Sequence, residues 1–375
     1  MINFDCNNYS LLSEKVSLVM QKTLKVCQKH RSHSFGVDQR VKATIEKARY
    51  QIAGLINART EMFFFDGSFQ MSDINLIQSL VSLMDIREII MMEHENDEKV
   101  TFLKELDNQK KIKVSFVETD SNGKLNLDQL AEIIESNTSS KLVTLSHANR
   151  ITGNLLPVKG VASICARKNV FFHLSTNLTI GRYQIDFQKL SPDFMSFGCN
   201  LINGPEGIGA IVLNNSFKIE RPAFNLLYKY FQNLDNKNLP LIAGMEKSVS
   251  LAVENVESFL KSTYELTTYL SEKLKEIPGI VLPEQKNKGL INLVSVIHNK
   301  SIFGDYLKEK MELKGFVIDC PRPCQIGESH ENESILPIAL SESVTQNDID
   351  LFIECLIEIS DSKYQGFSQP RTQNK

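Results

Sequence analysis

The sequence predicts an α/β protein: a large domain around a mainly parallel sheet, and a smaller α+β domain built mostly from the C-terminal third. Three observations carry that expectation. Short β-branched and aromatic runs alternate with amphipathic stretches through the first two-thirds of the chain, and strands separated by helices require crossovers, hence parallel pairing. Around Ala243 the pattern turns long and helical, then mixed. The 375 residues suffice for one large and one small domain with a real core.

The elements follow in order. Glu61 to Phe65 reads as a strand and Ser72 to Met84 as a helix. Glu88 to Met92 is a strand, Glu98 to Leu106 a helix, and Lys113 to Val117 a strand. The turn residues Asp120 to Gly123 open a helix over Asn126 to Ile134. Leu142 to Leu145 is a strand, Val158 to Arg167 a helix, and Val170 to Leu174 a strand. Asp193 to Phe197 and Gly209 to Leu213 are two more strands. Ala243 to Ile277 is helical. The smaller unit then reads as strand Leu290 to Ile297, helix Phe303 to Leu313, strands Phe316 to Asp319 and Ile335 to Ala339, and helix Gln346 to Ile359. Thr345 caps that last helix, with Asp348 as the acid three residues on. The expected domains are 12–250 for the large one, 1–11 with 251–360 for the small one, and a polar, flexible tail over 361–375.

Composition narrows the function classes. Apolar residues make up 42% and charged residues 23%, ordinary values for a globular protein. A net charge of −3 gives no electrostatic footprint for nucleic acid. No apolar run reaches the length of a membrane span. Seven cysteines, odd in number and mostly far apart, are no disulfide framework and read as thiols of a reducing compartment. No metal site is expected.

Several motifs point further. Ser32-His33-Ser34-Phe35-Gly36 precedes Ile45-Glu46-Lys47-Ala48-Arg49. Ser146-His147-Ala148-Asn149-Arg150-Ile151-Thr152-Gly153 and Phe172-His173-Leu174-Ser175 follow. Then comes Ser196-Phe197-Gly198-Cys199-Asn200-Leu201-Ile202-Asn203-Gly204-Pro205-Glu206-Gly207-Ile208-Gly209. Together these resemble the signatures of the cysteine desulfurases, class V aminotransferase-fold enzymes that use pyridoxal phosphate. The likeness runs from about Ile2 to Ile359 and keeps register without a gap from His147 to Gly209. It implies a type I transferase fold for pyridoxal phosphate, a homodimer with sites at the subunit interface, and, with no leader before the family-like start, a cytoplasmic protein.

The same resemblance implies that the chemistry is degraded. The family's cofactor lysine falls at Leu201, which has no nitrogen for an imine. No lysine occurs between Lys189 and Lys218. The aspartate that keeps the pyridine nitrogen protonated falls at Ser175, the glutamine that meets the ring oxygen at Leu178, and a second ring-oxygen partner at Arg150. The phosphate cup reads Asp66-Gly67-Ser68-Phe69, which puts an acid where a dianion should sit; Asp66 itself reads first as an N-cap. The ring-stacking histidine corresponds to His94 or Asn96, and His94 reads as a surface residue of an acidic stretch. The arginine that forks the substrate carboxylate falls at Pro337. The glycine-rich stretch from the partner subunit is replaced by a glycine-free interval whose Tyr228 to Leu234 reads as packing surface. Gly67, Ser68, Asn149, Arg150, His173, Ser175 and Ser196 are the cofactor-pocket equivalents.

Three functions stay open at this point. The leading one is a catalytically degenerate desulfurase-like protein without covalent pyridoxal phosphate, acting as a structural or regulatory dimer. By family analogy its partners are an active paralogue or sulfur-transfer proteins. The second is a thiol or persulfide carrier using Cys324 or Cys320 of Cys320-Pro321-Arg322-Pro323-Cys324, independent of pyridoxal phosphate. The third is an active pyridoxal phosphate enzyme with relocated groups.

Overall fold

The computed structural model describes residues 1–29, 35–67, 72–92, 95, 97–119, 124–214, 221–235, 237–283, 289–298, 304–320 and 334–367. Along the chain the elements are β1 (Ile2–Asn3), α1 (Glu14–Lys29), α2 (Phe35–Leu55), β2 (Phe63–Asp66), α3 (Ser72–Leu83), β3 (Glu88–Met92) and α4 (Asp97–Asn108). Next come β4 (Lys113–Val117), α5 (Leu127–Glu135), β5 (Lys141–Ser146), α6 (Val158–Arg167), β6 (Phe171–Ser175), α7 (Phe187–Leu190), β7 (Phe194–Gly198) and β8 (Gly209–Leu213). The remainder is α8 (Arg221–Leu234), α9 (Leu239–Glu254), α10 (Val256–Lys275), β9 (Ile280–Val281), β10 (Leu293–His298), α11 (Asp305–Leu313), β11 (Phe316–Val317), β12 (Ser334–Ala339) and α12 (Gln346–Phe367).

Two compact units emerge. The larger comprises Tyr9–Asn149 and Leu155–Val256; the smaller comprises Met1–Asn8, Arg150–Asn154 and Glu257–Lys375. The expected boundaries differ by a few residues, because the turn at 150–154 packs with the smaller unit: Ser295 Oγ donates to the Ile151 carbonyl at 2.5 Å, and Leu290 N–H to that of Gly153 at 2.7 Å. Residues 361–367 continue α12 rather than starting a flexible tail. Nothing in 361–365 breaks a helix, whereas Pro370 cannot continue one.

The larger unit is built on a sheet of order β2-β8-β7-β6-β5-β3-β4. β3, β4, β5, β6 and β7 pair in parallel, as the crossovers require, and β8 runs antiparallel between β7 and β2. Strand alternation sorts the side chains between two faces. Phe63, Phe65, Met195, Phe197, Ala210 and Val212 pack into one cluster with α2 and α9. Phe64, Ile89, Met91, Leu142, Phe171, Phe194 and Ile211 pack into another with α3 and α8. The segment Tyr228 to Leu234 lies in α8, where Leu227 and Phe231 are buried against the sheet.

The smaller unit holds an antiparallel sheet of order β12-β10-β9 and the parallel pair β1-β11. Its core includes Phe4 stacked on Phe352 at 4.4 Å, with Phe316 edge-on to both. Pro337 is buried in β12 opposite Ser295, and β12 is an edge of that sheet, where a missing N–H is tolerated. The capping box at α12 is formed: Asp348 N–H donates to Thr345 Oγ1 at 3.2 Å and Thr345 N–H to Asp348 Oδ2 at 2.8 Å. No helix among the described residues is long and apolar enough to cross a membrane.

Candidate functional site

One face of the large sheet changes character toward the carboxyl ends of its parallel strands. Along β5 the same-face series runs Leu142, Thr144, Ser146; along β6, Phe171, His173, Ser175; along β7, Phe194, Ser196, Gly198. Apolar positions thus give way to polar ones where open α/β sheets bind ligands. That face is met by the first turns of α3 and α4, which bring Asp73 and Lys99, and by Glu95 just after β3.

These side chains form one buried network. Lys99 Nζ lies 2.6 Å from Glu95 Oε2 and 3.9 Å from Asp73 Oδ2. Glu95 accepts from Ser146, from its N–H at 2.7 Å and its hydroxyl at 2.5 Å. The Ser196 hydroxyl donates to Asp73 in a very short hydrogen bond. His173 meets Ser196 Oγ through Nε2 and Thr144 Oγ1 through Nδ1, both at 2.8 Å. Because the one Ser196 proton goes to Asp73, His173 must donate from Nε2 and accept at Nδ1 from Thr144. Burial drives the His173 pKa down to about 4, Asp73 opposing and Lys99 assisting the shift, so the ring is neutral at physiological pH. A second histidine, His147, is also lowered to about 4 by burial, with Nδ1 2.8 Å from Thr179 Oγ1.

The residues expected at the cofactor pocket divide. His173, Ser175 and Ser196 do come together at the strand ends, all buried. Asn149 is buried in the same unit just past β5. Arg150 belongs to the smaller unit instead, where its Nη1 donates to Asn8 Oδ1 at 3.0 Å and to Asp319 Oδ2 at 3.1 Å. Leu201 is buried in the 3-10 turn Asn200–Ile202, and its carbonyl accepts from Arg182 Nη2 at 2.9 Å. Gly204 N–H closes that turn onto the Cys199 carbonyl at 2.9 Å; a Cβ at Gly204 would stand 2.6 Å from the same oxygen, so only glycine fits. Asp66 is not the N-cap of α3, which starts six residues later; its carboxylate accepts from Ser72 Oγ at 2.7 Å and Asn75 Nδ2 at 3.2 Å. Gly67 is exposed, and Ser68, His94, Asn96 and Cys324 lie outside the described residues. Cys320 is buried and its thiol is pushed up to about 12, chiefly by desolvation.

Comparison with known families matches residues 2–352 to Aminotransferase class-V. The chain belongs to the class V aminotransferase family. Its sequence is similar to those of cysteine desulfurases: it is 24% identical over 343 residues to cysteine desulfurase IscS of Photorhabdus laumondii, covering 87% of this chain and 83% of that protein. The IscS of Clostridium botulinum is 23% identical over 346 residues, covering 88% and 86%. Among solved structures, a NifS-like protein superposes with a TM-score of 0.83 at 22% identity, covering 96% of this chain and 99% of that one. The NifS-like protein of Rickettsia africae gives 0.80 at 20% identity with the same coverage. At these identities the superpositions establish the fold.

In this class V protein the residues that sequence reasoning missed are Asp73, Glu95 and Lys99. No lysine stands near Leu201 in sequence, whereas the fold delivers one from α4. The available signal was Glu95 and Lys99 at a four-residue spacing directly after an apolar strand. That pattern ordinarily marks a solvated helix face, and here both side chains are interior, at 0% and 2% exposure.

Proposed function

We propose that this class V protein is a desulfurase relative without desulfurase chemistry, one that holds no covalent pyridoxal phosphate. It acts as a structural or regulatory cytoplasmic dimer that docks an active desulfurase or a sulfur-transfer protein. The observation that carries the proposal is Leu201, a buried apolar side chain where the family resemblance calls for the imine-forming amine. The donor set also counts against the cofactor. Pyridoxal phosphate needs a reactive amine, a carboxylate at its ring nitrogen and donors for its phosphate, and would supply an electron sink for a substrate carbanion. Lys99, a buried amine at these strand ends, is held against Glu95 and Asp73. Ser175 is neutral, and Asp66 puts a carboxylate at the end of β2. The thiol alternative gains no support from Cys320, whose burial keeps it protonated.

Incubation with pyridoxal phosphate followed by visible spectroscopy and a cysteine turnover assay tests the catalytic half of the proposal. Neither an aldimine band nor sulfide release is expected, and either one contradicts it. Sedimentation of the purified protein tests the other half: a dimer is expected, and a monomer at micromolar concentration contradicts it.

A further inference from the structure

We propose that Lys99, clamped between Glu95 and Asp73, is a built-in occupant of the crevice where the family's cofactor would bind. The large unit then completes its core without a ligand and excludes phosphorylated aldehydes. The inference rests on the cofactor-free proposal above and goes beyond it by naming what replaces the cofactor.

Topology puts the cluster in that crevice. The chain leaves β3 for β4 on one side and returns as β5 on the other, so the switch point of the sheet falls between β3 and β5. Glu95, directly after β3, spans that point to the Ser146 N–H and hydroxyl at the end of β5. Asp73 spans from α3 to Ser196 on β7, and Ser196 connects to His173 on β6 and Thr144 on β5. Lys99 joins the two carboxylates and is 1% exposed. One cation therefore ties together the segments that a bound cofactor would otherwise bridge.

The energetics agree with a plug rather than an open site. A buried ammonium persists only when its charge is matched, and removing one member of such a set strands the others. The same arrangement is hostile to pyridoxal phosphate. Two carboxylates repel a phosphate dianion, and an amine held in two ion pairs is not free to attack an aldehyde.

The test compares thermal unfolding of the full-length wild type, Lys99→Met, Glu95→Gln and the neutral triple variant Asp73→Asn/Glu95→Gln/Lys99→Met, with and without pyridoxal phosphate. Amide exchange of Ser146 is followed in the wild type and in Glu95→Gln. The midpoint of the wild type should not move with pyridoxal phosphate. Lys99→Met should fall by about 6–20 °C, or fail to fold, and the neutral triple should recover at least half of the loss. Ser146 should exchange slowly in the wild type and faster in Glu95→Gln. An unchanged midpoint in Lys99→Met, or rapid Ser146 exchange in the wild type, overturns the plug while leaving the cofactor-free proposal standing. A borohydride-fixed pyridoxyl group on Lys99 of the wild type overturns both. One fixed at stoichiometric yield on a different lysine overturns the cofactor-free proposal and, with it, the plug that rests on it.

Discussion

Lys99 Nζ lies 2.6 Å from Glu95 Oε2, with 2% and 0% of the two side chains exposed. Both residues sit beyond the carboxyl end of β3, where open α/β sheets bind ligands. An interior ion pair is not a cheap source of stability, since desolvation offsets most of its attraction.

Restoring the lysine alone should not restore activity. Leu201→Lys is expected to show no aldimine absorbance and no cysteine desulfurase turnover, because Ser175 and Pro337 remain and the Glu95–Lys99 pair is untouched. Leu201 is only 7% exposed, so the new amine should also destabilise the protein. Turnover in the single variant would overturn the account of the site.

Cutting the hydroxyl relay should be felt throughout it. Ser196→Ala leaves Asp73 without its short hydrogen bond and His173 Nε2–H without an acceptor. Two buried groups lose a partner, so the expected loss in urea unfolding is about 2–4 kcal/mol. A change under about 0.5 kcal/mol would place the relay outside the stabilising core.

The buried histidines predict acid sensitivity. His173 ionises at about 4 when folded and at 6.5 in the reference state, so between those values the unfolded chain binds the extra proton. Its contribution is complete above pH 6.5 and is lost as pH falls toward 4, with about 2 kcal/mol gone at pH 5. His147 acts in the same direction. Urea unfolding at pH 7 and pH 5 should show a larger drop for the wild type than for His173→Gln; equal drops would contradict a buried neutral ring.

Asp5 predicts the opposite slope. Burial, and then the neighbouring Asp319, raise its pKa from 3.8 to about 7, while Arg150, Asn8 and Lys308 pull it down. The folded protein therefore holds a proton that the unfolded chain has lost, and this contribution to stability falls as pH rises from about 4 to 7. Asp5→Asn keeps an acceptor for Asn8 Nδ2 and should gain stability relative to the wild type as pH rises through that window. A parallel pH profile for the two proteins would contradict this.

Thiol labelling separates the remaining functional alternative. Cys320, with its pKa near 12, and Cys199, raised further by complete burial, should resist iodoacetamide in the native state and react after unfolding. Native labelling at Cys320 would revive a thiol chemistry there.

The fold was far more legible than the site. β3, β4, α6 and β8 fall at their expected residues, because β-branched runs and helical periodicity report directly on burial. The helical stretch expected over Ala243 to Ile277 is two helices that meet at Asn255, whose side chain turns back to the Leu251 carbonyl at 2.8 Å. α1 carries no comparable signal, since Val16 alone is buried among its described side chains. The places of Leu201 and Ser175 could be read in sequence because the motif register is continuous there. Asp73 and Lys99 could not, because their meaning comes from proximity to His173 and Ser196, and that is made only by folding.

Borohydride reduction of the wild-type protein after incubation with pyridoxal phosphate, followed by intact-mass and peptide analysis, tests the central claim most directly. The account predicts an unmodified mass. A single reduced pyridoxyl group at stoichiometric yield, on Lys99 or any other lysine, would contradict it.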